Sequence, residues 1–404
     1  MIEQVKGTRN LFGAESEKYI HIFNTFCDAF IDYGYELVEL PILEHKELFI
    51  KSIGENSEIV TKQMYEFKDK GNRSLVLRPE ATASVVRFHN EFFKNESKKY
   101  AYFGKMYRYE SPQKNRYREF IQAGAELIGT IDDFSELQIL KSSINFLDKL
   151  NIKAKLNINT IGSIEERKLY IKELENYFKK NKNNLSKESN EKIGKNTLRI
   201  LDSNDPFDSE IIDLAPVIYQ YLDEDTLDRY ENLKQNLKNE NIEYVENSKL
   251  VRGLDYYNDL TFEFVYKATV LGGGGRYDKL AESLKLGNSA GVGVAFGVDR
   301  IINCINYVPS TKKIMLIGQN FDDIKSVSKK LDKSGIKYFL PIRKSKENTQ
   351  YKEAIKNNVD YVINCTEKTI KNPKNNESFE FNIRNLKKLI CCLLYTSPSP
   401  RDCT

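Results

Sequence analysis

The chain has no tryptophan, only three histidines (His21, His45 and His89) and six cysteines among 404 residues. The cysteines, at 27, 304, 365, 391, 392 and 403, form no C-x-x-C pair, and no two histidines stand at metal-ligand spacing. Neither a zinc site nor a disulfide framework is expected. With so little histidine, a metallohydrolase centre or a His-based triad is not expected either. No apolar run approaches the ~18 residues of a membrane span. The first ten residues hold no apolar stretch of the secretory kind, so a cytoplasmic chain without membrane contact is expected.

What is present suits a folded protein. Hydrophobic residues make up 40% and charged residues 30%, enough for sizeable cores in roughly two to three domains. A net charge of +4 permits a polyanionic partner without requiring one. The last segment, 391–404, reads CCLLYTSPSPRDCT and breaks with the Lys/Asn/Ile-rich text before it. It resembles a translated sequencing-library adapter more than a Ser/Pro-rich tail, and is set aside as a non-native end.

Residues 16–31 place Tyr19, Ile22, Phe23, Phe26 and Phe30 at helical spacing. Gly34 breaks that helix, and 36–40 alternate like a strand up to Pro41. Residues 100–110 and 119–128 alternate with period two, and their polar connection carries Lys114, Arg116 and Arg118. The pattern predicts a long antiparallel hairpin. A helix follows, with Leu137, Leu140, Ile144 and Leu147 on one stripe. From 165 to 245 helical periodicity and charge dominate, and the Lys/Asn/Ser/Glu run 179–196 reads as a solvated helix end or loop. Residues 260–266 and 289–297 alternate again, so antiparallel-type strands flank a helical insertion. After Pro309, strand 313–318, helix 321–333, strand 336–340, helix 347–357 and strand 359–365 follow one another. That alternation predicts a small α/β domain with a parallel sheet. The expected division is 1–164 with 246–308 as an α+β domain, 165–245 as the insertion and 309–390 as the α/β domain.

Several segments carry groups suited to chemistry. In EFIQAGAELI, 119–128, Phe120, Gln122, Gly124 and Glu126 share one face, and Ile121, Ala123, Ala125 and Leu127 the other. The first face offers an amide and a carboxylate separated by glycine, either to a ligand or to water. On the partner segment, Met106, Arg108 and Glu110 share a face, and a guanidinium inside a sheet needs an anion. Glu80 and Thr82 follow Pro79 and either grip an ammonium group or open a helix. LVRGLDYYN, 250–258, supplies Arg252 and two phenols, Tyr256 and Tyr257, which suit a core as well as a site. Four glycines at 272–275 let backbone come close to a ligand, and no Gly-Lys-Ser/Thr follows to make a Walker loop. In AGVGVAFG, 290–297, Gly291, Gly293, Ala295 and Gly297 share a bare face able to accept a flat base. Arg300 then opens a helix, where it suits a phosphate. A dinucleotide fold is rejected, since no acidic residue stands about twenty positions on in a βαβ context. The set suits a nucleoside triphosphate plus an amino acid.

With these motifs the chain resembles the histidyl-tRNA synthetase family of class II aminoacyl-tRNA synthetases, from about Lys6 to Leu389. YGYELVELP at 33–41, RYESPQKNRYREFIQAGAE at 108–126 and GVGVAFGVDR at 291–300 look like the three class II motifs. LVRGLDYY at 250–257 and GGGRYD at 273–278 look like the two signatures peculiar to the histidine enzymes. The resemblance implies a class II catalytic domain, with an antiparallel sheet flanked by helices, a helical insertion and a C-terminal α/β domain of the anticodon-binding type. It implies ATP-dependent activation of L-histidine, with Mg2+ accompanying ATP and no zinc, then transfer to the 3'-terminal ribose of tRNA(His) by a cytoplasmic homodimer.

The resemblance also implies roles. Glu80, Thr82 and Gln122 would hold the α-ammonium; Glu126 and Tyr257, with Tyr256 beside them, would read the imidazole. Arg108 would bridge the histidine carboxylate and the α-phosphate, and Arg252 would act on that phosphate where other class II enzymes use a metal ion. Glu110 would read the adenine amino group, Arg116 and Arg300 would hold the γ-phosphate, and the strand through Gly293 would lie against adenine. No protein side chain is expected to hold a metal. The chain departs from the family pattern at Ser111, where arginine is common, and at Asn204, where lysine is usual, and its C-terminal domain matches only loosely. A regulatory paralogue serving a phosphoribosyltransferase would lose catalytic arginines and the C-terminal domain; Arg108, Arg252, Arg300 and 312–389 are here. A kinase-linked pseudo-synthetase would need a kinase domain, and none is present.

Overall fold

Five antiparallel pairings build the centre of the larger of two compact units in a computed structural model of the chain. The structure describes residues 2–55, 57–111, 116–307, 312–375 and 377–390, and the backbone alone of 391–394. The units are Met1–Asn306 and Tyr307–Thr404. The adapter-like end thus lies outside the described residues, except for four positions whose backbone completes the helix Leu386–Leu394.

In the first unit an eight-stranded sheet runs, edge to edge, through Glu36–Leu37, Lys98–Tyr107, Glu119–Gly129, Ala290–Gly297, Thr269–Arg276, Asn258–Tyr266, Lys155–Thr160 and Val245–Glu246. Only the two edge strands pair in parallel. The hairpin expected at 100–128 forms, with Tyr102 opposite Gly124 and Gly104 opposite Gln122. Its strand of period two puts Ile121, Ala123, Ala125 and Leu127 into the core. The helices Ala14–Ile31 and Asp133–Lys149 supply aromatic rings to that core. Phe26 meets Phe146 at 5.4 Å, and Phe146 meets Phe296 of the sheet at 5.2 Å, both edge to face. Each such buried ring contributes about 2–3 kcal/mol of apolar transfer. Two helices also start on strong caps. Asp132 accepts from the Ser135 amide at 2.9 Å in a reciprocal capping box, and Ser163 with Glu166 makes the same arrangement on Ile164–Lys180.

Three readings are shortened or changed. The strand at 36–40 keeps only two ladder residues, because after the Val38 amide bonds the Ala101 carbonyl the chain turns away toward Pro41. Strand 98–107 stops before Arg108, whose amide bonds Arg118 across the hairpin at 2.9 Å while the Tyr109 amide bonds Gln63 at 2.7 Å. The run 179–196 is not all solvated. Ser186 and Ser189, with Ser203 further on, donate hydroxyls to the Asp208 carboxylate at 2.5–2.9 Å. Ser189 is buried there, so a polar composition conceals a satisfied internal network.

In the second unit, Ile314–Ile317 and Tyr361–Asn364 pair in parallel, with helices Phe321–Lys333 and Glu347–Lys356 in the connection. Residues 336–340 make a single parallel bridge, Met315 to Phe339, instead of a full strand. Thr369–Lys371 and Ser378–Glu380 then extend the sheet antiparallel. The expected all-parallel sheet is therefore mixed, since a short local hairpin closes more readily than another crossover.

Candidate active site

The face of the large sheet opposite the two helices is built on small residues. Pairing sets Gly293 opposite Glu126, Ala295 opposite Gly124 and Gly297 opposite Gln122, and sets Gly273 and Gly275 beside Ala295 and Gly293. The glycines are spaces for neighbouring side chains. A Cβ at Gly293 would lie 1.6 Å from the Glu126 carboxylate, one at Gly291 would lie 2.1 Å from the Tyr277 ring, and one at Gly124 would lie 2.3 Å from Tyr102. The expectation that Gly293 lies bare beneath a base is corrected here, because Glu126 covers it. The half-buried part of the stripe is Ala295 and Gly297, beside Arg300.

Glu126 sits between two hydroxyls, accepting from Thr82 Oγ1 at 2.8 Å and from the Tyr277 phenol at 2.5 Å. It is buried, and burial pushes its carboxyl up to about 8, against the pull of those two hydrogen bonds and with the help of the Glu80 charge. Glu80 stands just before the N-cap Ala81 and serves the helix start. Its carboxylate accepts from the Thr82 amide at 2.6 Å and the Ala83 amide at 3.1 Å, capping Thr82–Phe92. It is buried beside Arg108, and burial raises its pKa. Capping and ligand reading are compatible, because each carboxylate oxygen accepts more than one bond. Tyr256 and Tyr257 pack with tilted rings 4.7 Å apart, Tyr256 meets Tyr277 edge to face at 5.7 Å, and Tyr257 lies over Gly275. Among the described residues, the Gln122 amide oxygen, the Tyr102 and Tyr256 hydroxyls and Arg252 Nε are all buried without a protein partner. Each orphan costs about 1–3 kcal/mol in a closed core, so four of them over one glycine floor mark a place for a polar ligand.

Cations ring the same floor. Arg108 donates through Nε to the Pro79 carbonyl at 2.8 Å and stands over the Phe120 ring at 5.3 Å. Arg300 donates to the Val270 carbonyl at 2.6 Å. Arg252 lies over Gly273, where a Cβ would come 2.7 Å from its guanidinium. Burial lowers the pKa of Arg300, and the charges of Arg116, Arg252 and Arg108 lower it further, with Glu110 opposing. Four guanidiniums thus share one field, met by Glu110, by Glu80 at Arg108 and by Asp202 at Arg252. Arg116 is exposed, and 112–115 before it lie outside the described residues. Such a cluster holds together only around anionic groups.

Residues 7–301 match the family described as Histidyl-tRNA synthetase. The chain belongs to this family. It is 39% identical over 312 residues to the histidine–tRNA ligase of Mycoplasma mobile, covering 75% of this chain and 70% of that one. It is 37% identical over 315 residues to that of Limosilactobacillus fermentum, covering 74% and 73%. The crystal structure of apo Staphylococcus aureus histidyl-tRNA synthetase superposes with a TM-score of 0.73 at 28% identity, over 96% of this chain and 99% of that one.

As a histidyl-tRNA synthetase family member, the chain holds its site together with residues the motifs did not single out. Arg78 is buried and donates to the carbonyls of Leu40 at 2.8 Å and Lys105 at 3.0 Å, tying two segments below the floor. Asp299 accepts from the Ile121 amide at 2.8 Å and from Arg9 at 2.5 Å. The Gly7 carbonyl takes the Arg118 amide at 2.8 Å, so the N-terminal segment braces the hairpin end. Tyr277 stands in the GGGRYD segment without a role of its own, and Tyr102 is hinted at only by Gly124 on the neighbouring strand, which the sequence alone does not connect to it.

Proposed function

We propose that this chain activates L-histidine with ATP, releasing pyrophosphate, and transfers the histidyl group to the 3'-terminal ribose of tRNA(His). The observation that carries the reading is the convergence of Arg108, Arg116, Arg252 and Arg300 over a glycine floor beside Glu126. In the first step the histidine carboxylate attacks the α-phosphorus in line. A carboxylate–phosphorus bond forms, the bond to the pyrophosphate oxygen breaks, and the electron pair leaves on pyrophosphate. Both partners are anionic, so their repulsion is part of the barrier. Arg108 and Arg252 are the catalytic residues: aimed at the equatorial oxygens they offset that repulsion, and positioning contributes most of the rest. Arg300 and Arg116 take the γ-phosphate, Glu110 the adenine amino group, and Ala295 with Gly297 the adenine face. Glu80, Thr82 and Gln122 take the substrate ammonium, while Glu126, Tyr256 and Tyr257 face the imidazole. Mg2+ would enter with ATP, on its phosphates.

A pocket that pairs buried polar groups with the substrate rejects analogues lacking them by ~10⁴–10⁵, so activation needs no editing site. We further propose that 1–164 with 246–308 form the catalytic domain, 165–245 the insertion and 309–390 an anticodon-binding-type domain, in a cytoplasmic homodimer. Amino-acid-dependent ATP–pyrophosphate exchange tests the reading. Exchange is expected with histidine alone. A folded sample that exchanges with no amino acid would overturn the synthetase reading in favour of a regulatory paralogue.

A further inference from the structure

The segment 250–257 carries Arg252 and both tyrosines and lies between strands, outside any ladder. Backbone carbonyls beside a site need partners. Three of this segment's find arginines from the helical insertion, two of them part-buried and that of Asp255 exposed. Arg167, on helix Ile164–Lys180, donates through its two terminal nitrogens to the carbonyls of Tyr257 and, at 3.2 Å, Asp255. Arg199, on the turn Thr197–Ile200, donates to the Gly253 carbonyl next to Arg252. Gly253 is a glycine for this contact, since a Cβ there would press within 3.0 Å of the Arg199 guanidinium. Among the described residues, Arg199 Nε is buried without a hydrogen-bond partner. Asp202, on the same stretch, is exposed, and the charge of Arg252 acts on it more strongly than that of Arg199.

We infer that Arg167 and Arg199 are positioning residues for histidine activation, holding the Arg252–Tyr257 loop in its working shape from the insertion. The inference rests on the proposed activity for its kinetic part only. Arg199 fixes the peptide beside Arg252, which acts in the transition state. Arg167 fixes the peptide of Tyr257, which faces the substrate side chain. A displacement near 1 Å at such groups costs about 10²-fold in rate. One guanidinium fork reaches two carbonyls where one ammonium reaches one, so arginine and lysine differ at 167 more than at 199.

The test uses the full chain and four variants: Arg167→Ala, Arg167→Lys, Arg199→Ala and Arg199→Lys. Hydrogen–deuterium exchange of the 250–258 amides is measured without substrate, and pyrophosphate exchange with histidine and ATP varied. The expected result is faster amide exchange in both alanine variants. Arg199→Ala is expected to lower kcat by about 10²-fold, with Arg199→Lys recovering most of it. Arg167→Ala is expected to raise the histidine KM at least tenfold, with Arg167→Lys recovering little. A structural role alone would lower all parameters with the melting temperature and would show no such split; that outcome overturns the inference. So does unchanged amide exchange at 250–258, in the lysine variants' background as in the alanine variants. If the unaltered protein lacks histidine-dependent exchange while the alanine variants still loosen the loop, the proposed activity fails and the clamp stands.

Discussion

Replacing Glu126 by glutamine removes one ionisable group and leaves the shape of its pocket. The carboxyl accepts from Thr82 and Tyr277, and no cation stands among its influences; the only charge acting on it is that of Glu80, which is like in sign. Burial therefore dominates and lifts its pKa from 4.5 to about 8. A raised folded value means that the folded state binds the proton more tightly than the unfolded chain does. The stabilisation is complete below about pH 4.5 and is lost as pH rises toward about 8. Over the whole interval the loss is about 5 kcal/mol, of which about 3 kcal/mol falls between about pH 5.5 and 7.5. An amide presents one acceptor and one donor, and either hydroxyl can turn to accept, so Glu126→Gln mimics the neutral acid at all pH values. Urea unfolding of both proteins, read on the transition of the Met1–Asn306 unit, checks this. The variant is expected to gain on the parent by about 1.4 kcal/mol per pH unit across that range. Glu136, pushed up to about 7 by burial beside Arg276, titrates in the same range but is common to both proteins and cancels in the difference. A gap constant to within about 0.5 kcal/mol would mean that the carboxyl is ionised throughout, and would refute the reasoning. The same variant is expected to raise the histidine KM, so stability and function move in opposite directions.

Four other expectations are open to direct measurement. Arg252→Ala is expected to lower histidine-dependent pyrophosphate exchange by about 10²–10³-fold with an unchanged circular dichroism spectrum, because its Nε has no protein partner to lose; near-normal exchange contradicts its catalytic role. Gly293→Ala drives a methyl to within 1.6 Å of the Glu126 carboxylate, and is expected to cost about 1–3 kcal/mol of stability and raise the histidine KM; an unaltered KM contradicts Glu126 as a histidine contact. Deleting 312–404 is expected to weaken tRNA charging more than histidine activation, and equal loss of both would assign that unit a structural part. Light scattering at micromolar concentration is expected to give twice the chain mass; a monomer contradicts the homodimer.

Local patterns carried most of the fold. Period two over 119–128 and helical spacing over 16–31 and 137–147 express contacts between near neighbours, and the elements formed within a few residues of those bounds. What was not legible depends on partners far away in sequence. Residues 36–40 alternate like a strand, but only two of them find an edge to pair with. Ser186, Ser189 and Ser203 look like solvent-facing composition until Asp208 gathers them. At the site, the arginines were legible as residue types because a guanidinium in a sheet segment demands an anion, whereas the clamp from Arg167 and Arg199 was not. Those two lie in a helical, charge-rich stretch where an arginine ordinarily faces water.

The glycines show best where sequence reasoning stops. A bare strand face at 291–297 reads equally as a floor for a flat ligand or as clearance for neighbouring side chains, and periodicity is blind to the difference. Pairing resolves it position by position. Gly291 and Gly293 yield their space to Tyr277 and Glu126 from other segments, and Ala295 and Gly297 keep theirs. One strand therefore does two jobs along its length. Its first half admits Tyr277 and Glu126, and its second half stays low beside Arg300, which on the proposed reading serve the imidazole and the base. On that account a methyl group at 293 acts on histidine and one at 297, where the nearest atom is 3.4 Å away in the flexible Arg300 side chain, acts on ATP. Measuring both Michaelis constants in Gly293→Ala and Gly297→Ala separates the two halves, and equal effects on both substrates would mean that the strand is a single floor after all.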